Sequence, residues 1–403
     1  MLQIKPPTHP RVPLAPVLSG ASLRRVRGAH ALPSVLDAGP ARLVTSGRIA
    51  IALALREMGI RPGDAVLMPA YHSPSMIPPV LHLGAVPVFY RLHPDASPDL
   101  GDLAAKLVPR VKALVVTHYF GFIQDLAVLR SFCDAHGLQL LEDCAHSFFG
   151  EHGGRPVGAW GDYAAASSMK FYPVYEGGVL VSAHHGLGRV ALHTAGPGFE
   201  AKATLATLER GFPYGRLPLL RALLTPPLQL KAALRRLRHG AQPGARPSET
   251  SAASRLAPAS SDSGFGFDPA WLDKRSSRLS RLLVGRLPTT RIVALRRARY
   301  RRLEQALGCL PGVRPLFPAL PDGVCPWMFP LVADDPKRLF DAVCAAAVPV
   351  TRFGYPLWPG VDESVCASSS MLSRHVLAFP CHQELRDEEL DWMIATLQTI
   401  LRA

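Results

Sequence analysis

Short apolar segments alternate with helical patterns through the first 185 residues of the chain. The apolar segments are the length of buried strands, and the stretches between them place apolar residues on one helical face. Strands that alternate with helices are typical of a largely parallel sheet with crossover helices. The pattern therefore predicts an α/β fold, with strands at 65–68, 86–90, 113–117, 140–141, 164–169 and 177–182 and helices at 46–58, 75–84, 100–107 and 125–136.

The pattern changes after residue 185. Residues 186–215 contain glycine and proline turns with little period, and residues 241–266 are rich in Pro, Ser and Ala, which predicts a loop or linker. Helical periodicity resumes at Trp271 and is strongest over 280–307. A smaller α+β domain is predicted for the remainder, with strands at 327–332 and 376–379 and helices at 336–347 and 387–401.

Two residues that can carry chemistry follow the predicted strands. Asp143 stands where one strand leaves the core, and Lys170 ends the next. Ligands of open α/β sheets gather at the carboxyl ends of strands, and a partly desolvated lysine is a better nucleophile. Pyridoxal phosphate needs such a lysine for a Schiff base and a carboxylate for its ring nitrogen, while Ser167 and Ser168 could bind its phosphate. The spacing alone is equally compatible with a turn-capping Asp143 and a solvated Lys170.

Several motifs in the same order resemble one family. The segments EDCAH (142–146) and SSMKFYPVYEGG (167–178) resemble the DegT–StrS sugar aminotransferases, which have the aspartate-aminotransferase fold. The resemblance implies that Asp143 binds the pyridine nitrogen of pyridoxal phosphate and that Lys170 carries the cofactor. It also implies that His146 lies against the cofactor ring.

Other cofactor contacts follow from the same resemblance. The family has a phosphate-binding Ser-Gly-Thr turn where this chain has Ser46, Gly47 and Arg48, so a guanidinium replaces one hydroxyl. A Ser-Gly turn at a helix start exposes N–H groups to an anion, although alone it would indicate only a helix cap. The expected aromatic stacking residue is Tyr71 or His72, although Ser73 is in closest register. His118, which follows a predicted strand, completes the expected cofactor-binding set.

The resemblance also sets the expected domains. It implies an N-terminal arm over 1–40, a cofactor-binding large domain over 41–285 with an insertion at about 200–265, and a small C-terminal domain over 286–403. The family forms homodimers in which an asparagine reaches the partner's cofactor. The best match here, SSRLS (276–280), lacks that asparagine, and Trp358 replaces a histidine of the substrate-side motif.

The net charge and the cysteine content limit which kinds of partner are expected. The chain of 403 residues has a formal net charge of +14, which favours anionic partners such as nucleotide diphosphates or anionic lipid surfaces. No nucleic-acid-binding signature accompanies this charge, so nucleic acid is not expected. Seven cysteines without metal-binding spacing predict reduced thiols and no metal site. The absence of an apolar signal segment or membrane span predicts a cytoplasmic protein.

These observations favour a pyridoxal-phosphate-dependent aminotransferase. Its expected substrates are a keto sugar, carried by a nucleotide, and an amino donor such as glutamate, in polysaccharide or glycoconjugate synthesis. Lys170 would also act as the general base. Two alternatives remain: a sugar dehydratase that uses the same cofactor, and a non-catalytic or membrane-associated accessory protein, suggested by the basic, leucine-rich segment 216–238.

Overall fold

The first half of the chain forms one sheet. In the computed structural model, which describes residues 9–26, 28, 31–226 and 267–402, seven strands pair in the order β1-β9-β8-β5-β4-β2-β3. Five neighbouring strands are parallel, and β9 and β1 complete the sheet in antiparallel pairing. The strands are β1 (Ala41–Val44), β2 (Ala65–Pro69), β3 (Val86–Tyr90), β4 (Val111–Thr117), β5 (Gln139–Cys144), β8 (Tyr163–Ser167) and β9 (Gly178–Val181), with a small hairpin of β6 (Glu151–His152) and β7 (Arg155–Pro156) between them.

Helices cover both faces of this sheet, as the largely parallel arrangement requires. The α-helices of residues 31–209 are α1 (Gly47–Glu57), α2 (Ile77–His82), α3 (Leu100–Ala105), α4 (Leu126–His136) and α5 (Pro197–Glu209), of which α5 packs on the later helix Arg278–Arg286. Side chains of Ser46, Asp99 and Asp125 cap α1, α3 and α4 by accepting hydrogen bonds from backbone N–H groups of the first turn. The β2, β4 and β5 strands are almost wholly buried, so their apolar runs show little alternation.

The C-terminal part has its own three-stranded antiparallel sheet. Its strands are β10 (Val313–Pro315), β11 (Met328–Ala333) and β12 (Val376–Pro380), paired in that order. Helix α6 (Arg278–Arg286) precedes this part. The helices that follow are α7 (Thr289–Leu307), α8 (Pro336–Ala345), α9 (Glu363–His375) and α10 (Asp387–Arg402). This arrangement agrees with the predicted α+β character, and α7 and α10 pack against each other.

Three segments differ from the sequence-based prediction. The strand predicted over 164–169 ends at Ser167, and Ser168–Lys170 form a 3₁₀ turn. The irregular stretch predicted over 186–215 contains α5, whose buried residues are only Ala203 and Thr207, too few to produce an apolar stripe. The helix predicted over 280–307 is two helices, because Pro288 has no N–H to donate and favours an extended residue before it.

The described part of the N-terminal arm packs against the C-terminal region. His382 Nε2 lies 2.9 Å from the carbonyl oxygen of Pro13, and the Ser19 hydroxyl donates to Glu384 at 3.1 Å. Val35 is fully buried. The linker predicted at 241–266 lies outside the described residues, and the division into domains stays a prediction. Among the helices that the structure describes, none is long and apolar enough to cross a membrane.

Candidate active site

The carboxyl ends of three neighbouring parallel strands bring the candidate catalytic residues together. In the register of the sheet, Thr117 at the end of β4 pairs with Asp143 on β5, and Asp143 pairs with Ala165 on β8. The 3₁₀ turn that follows β8 ends at Lys170. Because the carboxyl ends of parallel strands share one edge, the predicted carboxylate and amine lie at the same edge of the sheet.

Asp143 is buried and held by its neighbours. The Thr117 hydroxyl donates to Oδ2 at 3.3 Å, and the N–H of Ala145 donates to Oδ1 at 3.0 Å. Burial raises the pKa of the Asp143 carboxyl, while the charge of Lys170 and the N–H of Ala145 oppose that shift. Its oxygens are therefore fixed in position, and a cationic partner would favour its charged form.

Lys170 has a half-buried side chain whose amine lies against an aromatic ring. Its Nζ is 4.6 Å from the centroid of the Trp327 indole. Burial lowers the pKa of the Lys170 amine to about 8, and the charge of Asp143 limits this shift. A pKa near 8 leaves roughly a tenth of the amine neutral at pH 7, far more than in a solvated lysine. Lys170 can therefore act as a nucleophile and as a base.

His146 lies in an aromatic cluster beside this amine. Its ring stacks on Trp327 at 3.9 Å between centroids and meets the edge of Phe353 at 4.6 Å. The N–H of Phe120 donates to His146 Nδ1 at 3.3 Å, which places the ring proton on Nε2. Burial, and then the Lys170 charge, lower the pKa of His146 well below its usual value. His146 therefore presents a neutral ring.

The sequence analysis did not identify Trp327 or Phe353. Both residues belong to the C-terminal part of the chain, more than 150 positions from Lys170. Trp327 precedes β11, and Phe353 follows the buried residue Val350 in an irregular segment. Neither residue stands in a motif whose spacing relates it to Lys170. Only the packing of the C-terminal part against the sheet edge reveals their position.

Of the two candidate stacking residues after β2, Tyr71 is the one in the aromatic cluster. Its ring stacks on Tyr119 at 5.1 Å and meets the edge of Phe353 at 5.1 Å, and its buried hydroxyl has no hydrogen-bond partner within the described ranges. His72 instead stacks on Phe89 and uses both ring nitrogens in backbone contacts: Nδ1 lies 3.0 Å from carbonyl oxygens, and Nε2 accepts from Trp358 at 3.2 Å. Burial lowers the pKa of His72 to about 4.

His118 contacts a different carboxylate from the one near Lys170. Its Nε2 lies 3.2 Å from Glu142 Oε2, while its Nδ1 accepts from the N–H of Gln124 at 3.3 Å. Successive residues of a strand point to opposite faces, so Glu142 is on the other side of β5 from Asp143. The structure thus brings His118 to Glu142, and the expected contact between His118 and a cofactor stays a prediction.

Glu142 organises the loop after β7. Its carboxylate accepts from the N–H groups of Gly158, Trp160 and Gly161 at 2.6–2.8 Å, in addition to the contact with His118. His118, Glu142 and Cys144 lie close enough together to resemble a metal-binding set. The four hydrogen bonds use the acceptor capacity of the carboxylate, so this cluster serves the fold.

Three segments surround one polar space, called the cradle here: the start of α1 (Ser46 and Gly47), the turn after β8 (Ser167 and Ser168) and the glycines where β9 begins (Gly177 and Gly178). A Cβ atom on Gly178 would lie 2.3 Å from the carbonyl group of Ser46 and 2.7 Å from Gly47 N. A Cβ on Gly47 would lie 3.7 Å from the Cβ of Ser167, which is an ordinary van der Waals distance. The close approach at Gly178 requires glycine, and the two contacts place the start of α1 beside Ser167.

One buried hydroxyl in this cradle has no partner. Ser168 Oγ is enclosed and forms no hydrogen bond with any described residue, while Ser46 Oγ already caps α1 by accepting from Ile49 N at 3.4 Å. A Cβ on Gly177 would meet Ser168 at 3.0 Å. An unpaired buried hydroxyl is costly unless a ligand or water binds it. The cradle, Asp143 and Lys170 therefore fit a phosphate, a pyridine nitrogen and an aldehyde of one small cofactor.

Arg48 follows the cradle residues of α1 in sequence, and the SSRLS segment reaches the turn before β9 through tertiary contacts. Arg48 is buried on α1. Ser276 Oγ donates to Glu176 at 2.9 Å, and Ser277 donates to the same carboxylate through its N–H and hydroxyl at 2.9 and 2.8 Å. Burial raises the pKa of Glu176. The two serines thus anchor the start of α6 to the turn that precedes β9.

Substitution of Gly178 tests the cradle. We expect Gly178→Ala to weaken pyridoxal phosphate binding by at least tenfold, because the new methyl group would displace the backbone of Ser46 and Gly47. Equilibrium titration of the cofactor, followed by absorbance, measures the change. Gly186→Ala is the matched control, since a Cβ there meets nothing within 4 Å. Equal affinity in the two variants would contradict the assignment of the cradle.

Part of the chain is similar in sequence to known aminotransferases. Residues 30–216 match the DegT/DnrJ/EryC1/StrS aminotransferase family. A GDP-perosamine synthase of Vibrio cholerae is 33% identical over 145 residues, covering 35% of this chain and 40% of that protein. A dTDP-3-amino-3,4,6-trideoxy-alpha-D-glucose transaminase of Streptomyces venezuelae is 39% identical over 132 residues, covering 32% and 34%. The matched stretch thus spans well under half the length of these relatives.

The structural comparison covers nearly the whole chain. The aminotransferase TlmJ from Streptoalloteichus hindustanus superposes with a TM-score of 0.63 over 96% of this chain and 98% of its own, at 21% sequence identity. At this identity the likeness shows the fold, and it confirms the predicted aminotransferase fold with its mainly parallel sheet and C-terminal α+β region. Through residues 30–216, just under half of its length, the chain is similar to the DegT/DnrJ/EryC1/StrS aminotransferase family.

Proposed function

We propose that this protein is a pyridoxal-phosphate-dependent aminotransferase that acts on a keto sugar. The observation that supports it most strongly is the location of Lys170, whose amine has a pKa of about 8, and of the buried Asp143 carboxyl at one sheet edge, where each influences the pKa of the other. When bound, pyridoxal phosphate supplies an electron sink that stabilises negative charge at the carbon bearing the amino group. The residues of this chain supply orientation and proton transfer.

Each residue of the site has a distinct role in this proposal. Lys170 would hold the cofactor covalently and, as a free amine, would accept and return a proton at the substrate carbon. Asp143 would keep the pyridine nitrogen protonated. The Ser168 hydroxyl and the first N–H groups of α1 would hold the phosphate. Tyr71 and the neutral ring of His146 line the space next to the cofactor ring.

We propose a nucleotide-linked keto sugar as the amino acceptor and an amino acid such as glutamate as the donor. Two of the relatives are named for a GDP-linked and a dTDP-linked amino sugar. The net charge of +14 favours an acidic nucleotide diphosphate over a neutral sugar. By the same resemblance, we propose that two copies of the chain associate and that the protein works in the cytoplasm in polysaccharide or glycoconjugate synthesis.

The test is amino-group transfer itself. We expect the purified protein, loaded with pyridoxal phosphate, to convert glutamate or glutamine to its keto acid only while a nucleotide-linked keto sugar gains an amino group. Mass spectrometry of both products measures the coupled change. Loss of water from the sugar without consumption of the amino acid would instead indicate a dehydratase. No change in either compound, with no cofactor retained, would indicate a non-catalytic protein.

A further inference from the structure

A buried arginine stands in the apolar stripe of α7. Ile292, Val293, Tyr300 and Leu303 mark the buried face of this helix, and Arg296 lies in the middle of it with no exposed surface. Within the described residues, no carboxylate forms an ion pair with its guanidinium. A buried cation without a carboxylate partner is costly, so it persists only where other groups satisfy its donors.

Neutral acceptors from both halves of the molecule satisfy these donors. Nη2 donates to the carbonyl oxygen of Lys170 at 2.7 Å, and Nη1 donates to the carbonyl oxygens of Trp327 at 3.0 Å and Pro326 at 3.2 Å. Nε donates to the side-chain oxygen of Gln383 at 2.9 Å. One planar group therefore contacts the backbone of the candidate catalytic lysine and the backbone of the residue that covers its amine.

The residue after Lys170 is held in the same way. The guanidinium carbon lies 4.4 Å from the centroid of the Phe171 ring, and the Gln383 amide donates to the Phe171 carbonyl oxygen at 2.7 Å. The guanidinium presents its donors in a rigid fork, so the relative positions of the groups that accept from it are also fixed. Lys170 and Trp327 cannot separate without breaking charge-assisted hydrogen bonds.

We propose that Arg296 is a positioning residue for Lys170: it holds the lysine and the Trp327 indole together, so that the amine stays covered by the ring and shielded from water. Arg296 itself contacts none of the reacting atoms. The proposal rests on the proposed function in taking Lys170 as the cofactor-bearing lysine. It adds a residue, 126 positions away in sequence, that controls how nucleophilic that lysine is.

The basicity of Lys170 in the cofactor-free protein tests this proposal directly. Competitive acetylation over a range of pH, with mass spectrometry of the Lys170 peptide, measures the pKa of this one amine. We expect Arg296→Met and Arg296→Lys each to raise it by about one unit or more, toward the value of ~10.4 of a solvated lysine. The lysine variant keeps the positive charge but not the fork, so it separates geometry from charge.

Arg299→Met is the matched control. Arg299 lies on the same helix, is also buried, and donates to the carbonyl oxygens of His382 and Leu385, but it contacts neither Lys170 nor Trp327. We expect its loss to leave the pKa of Lys170 unchanged. An equal rise in Arg299→Met would mean that general loosening causes the effect, and it would overturn the proposal. A wild-type pKa in either folded Arg296 variant would overturn it as well.

Two further measurements keep the outcomes separate. If neither Arg296 variant folds, Trp327→Leu removes the cover directly, and an unchanged pKa of Lys170 in that variant would contradict the proposal. Borohydride reduction of the wild-type protein with pyridoxal phosphate tests the proposed function independently. Failure to label Lys170 there would refute its role as cofactor-bearing residue, whereas the acetylation result would still report whether Arg296 shields the amine.

Discussion

Replacing Lys170 by alanine is expected to abolish covalent retention of pyridoxal phosphate. Among the described lysines, Lys170 alone follows a strand at the carboxyl edge that holds Asp143. Its lowered pKa of about 8 also makes it more nucleophilic at neutral pH than a solvated lysine. Borohydride reduction followed by mass spectrometry should find a pyridoxyl group on Lys170 of the wild-type protein and none on the variant.

The Lys170→Ala substitution should also lower the rate of turnover. A positioned acid–base group contributes roughly 10²–10⁴-fold to rate, so Lys170→Ala should lose at least that factor even if the cofactor still binds in the cradle. Non-covalent binding through Ser168 and the start of α1 should persist, and equilibrium dialysis can measure it.

Lys112→Ala is the matched control for this substitution. Lys112 stands at the opposite, amino end of β4, where its amine donates to the Pro109 carbonyl oxygen at 2.9 Å. Its loss should change neither labelling nor turnover. A pyridoxyl group on Lys112, on Lys202 or on Lys231, which lies outside the described residues, would overturn the assignment. Labelling of no lysine at all would favour the accessory-protein alternative.

The sequence predicts the sheet edge well because local signals are strong there. Buried parallel strands are short apolar runs, and the residues that leave the core after them, Asp143 and Lys170, are recognisable from their position alone. The resemblance adds the start of α1 and the turn before β9. The structure brings Ser46, Gly47, Ser167 and Ser168 into one cradle, which a set of separate motifs cannot show.

The sequence cannot predict contacts that depend on tertiary packing. His72 and Tyr71 are adjacent, yet one packs on Phe89 and the other joins the aromatic cluster. Trp327 and Arg296 reach Lys170 only because the C-terminal part packs on the sheet edge. For Arg296 a signal did exist, since a charged residue interrupts the apolar stripe of α7, but its meaning depends on its acceptors.

A second substitution should separate binding of the cofactor from its activation. Asp143→Asn keeps the shape of the side chain: its amide oxygen can still accept from the N–H of Ala145, and its NH2 group can donate to the Thr117 hydroxyl oxygen. It removes the negative charge that would pair with a protonated pyridine nitrogen. We therefore expect the variant to retain pyridoxal phosphate on Lys170, as mass spectrometry after borohydride reduction would show, and to lose turnover.

The size of the loss follows from the strength of such a pairing. A neighbouring opposite charge shifts a pKa by about 1–3 units, which corresponds to roughly 10–10³-fold in the protonated fraction of the ring nitrogen once its own pKa lies below the assay pH. Single-turnover rates with an amino donor should fall by a factor in this range. Asp125→Asn is the control, since Asp125 caps α4 at the surface, with His152 Nε2 as its other neighbour at 3.7 Å, and asparagine caps equally well. Turnover equal to wild type in Asp143→Asn would refute the role of the carboxylate.

Asp143→Asn should also shift the pH dependence of covalent cofactor capture in one definite direction. The Asp143 charge raises the pKa of Lys170 against the larger effect of burial. Its removal should therefore lower the pKa of Lys170 below about 8, so that covalent capture of the cofactor persists to lower pH than in the wild-type protein. Rates of capture measured from pH 6 to 9 would show the shift. A shift toward higher pH would mean that Asp143 does not face the amine. It would refute the electrostatic interaction between Asp143 and Lys170.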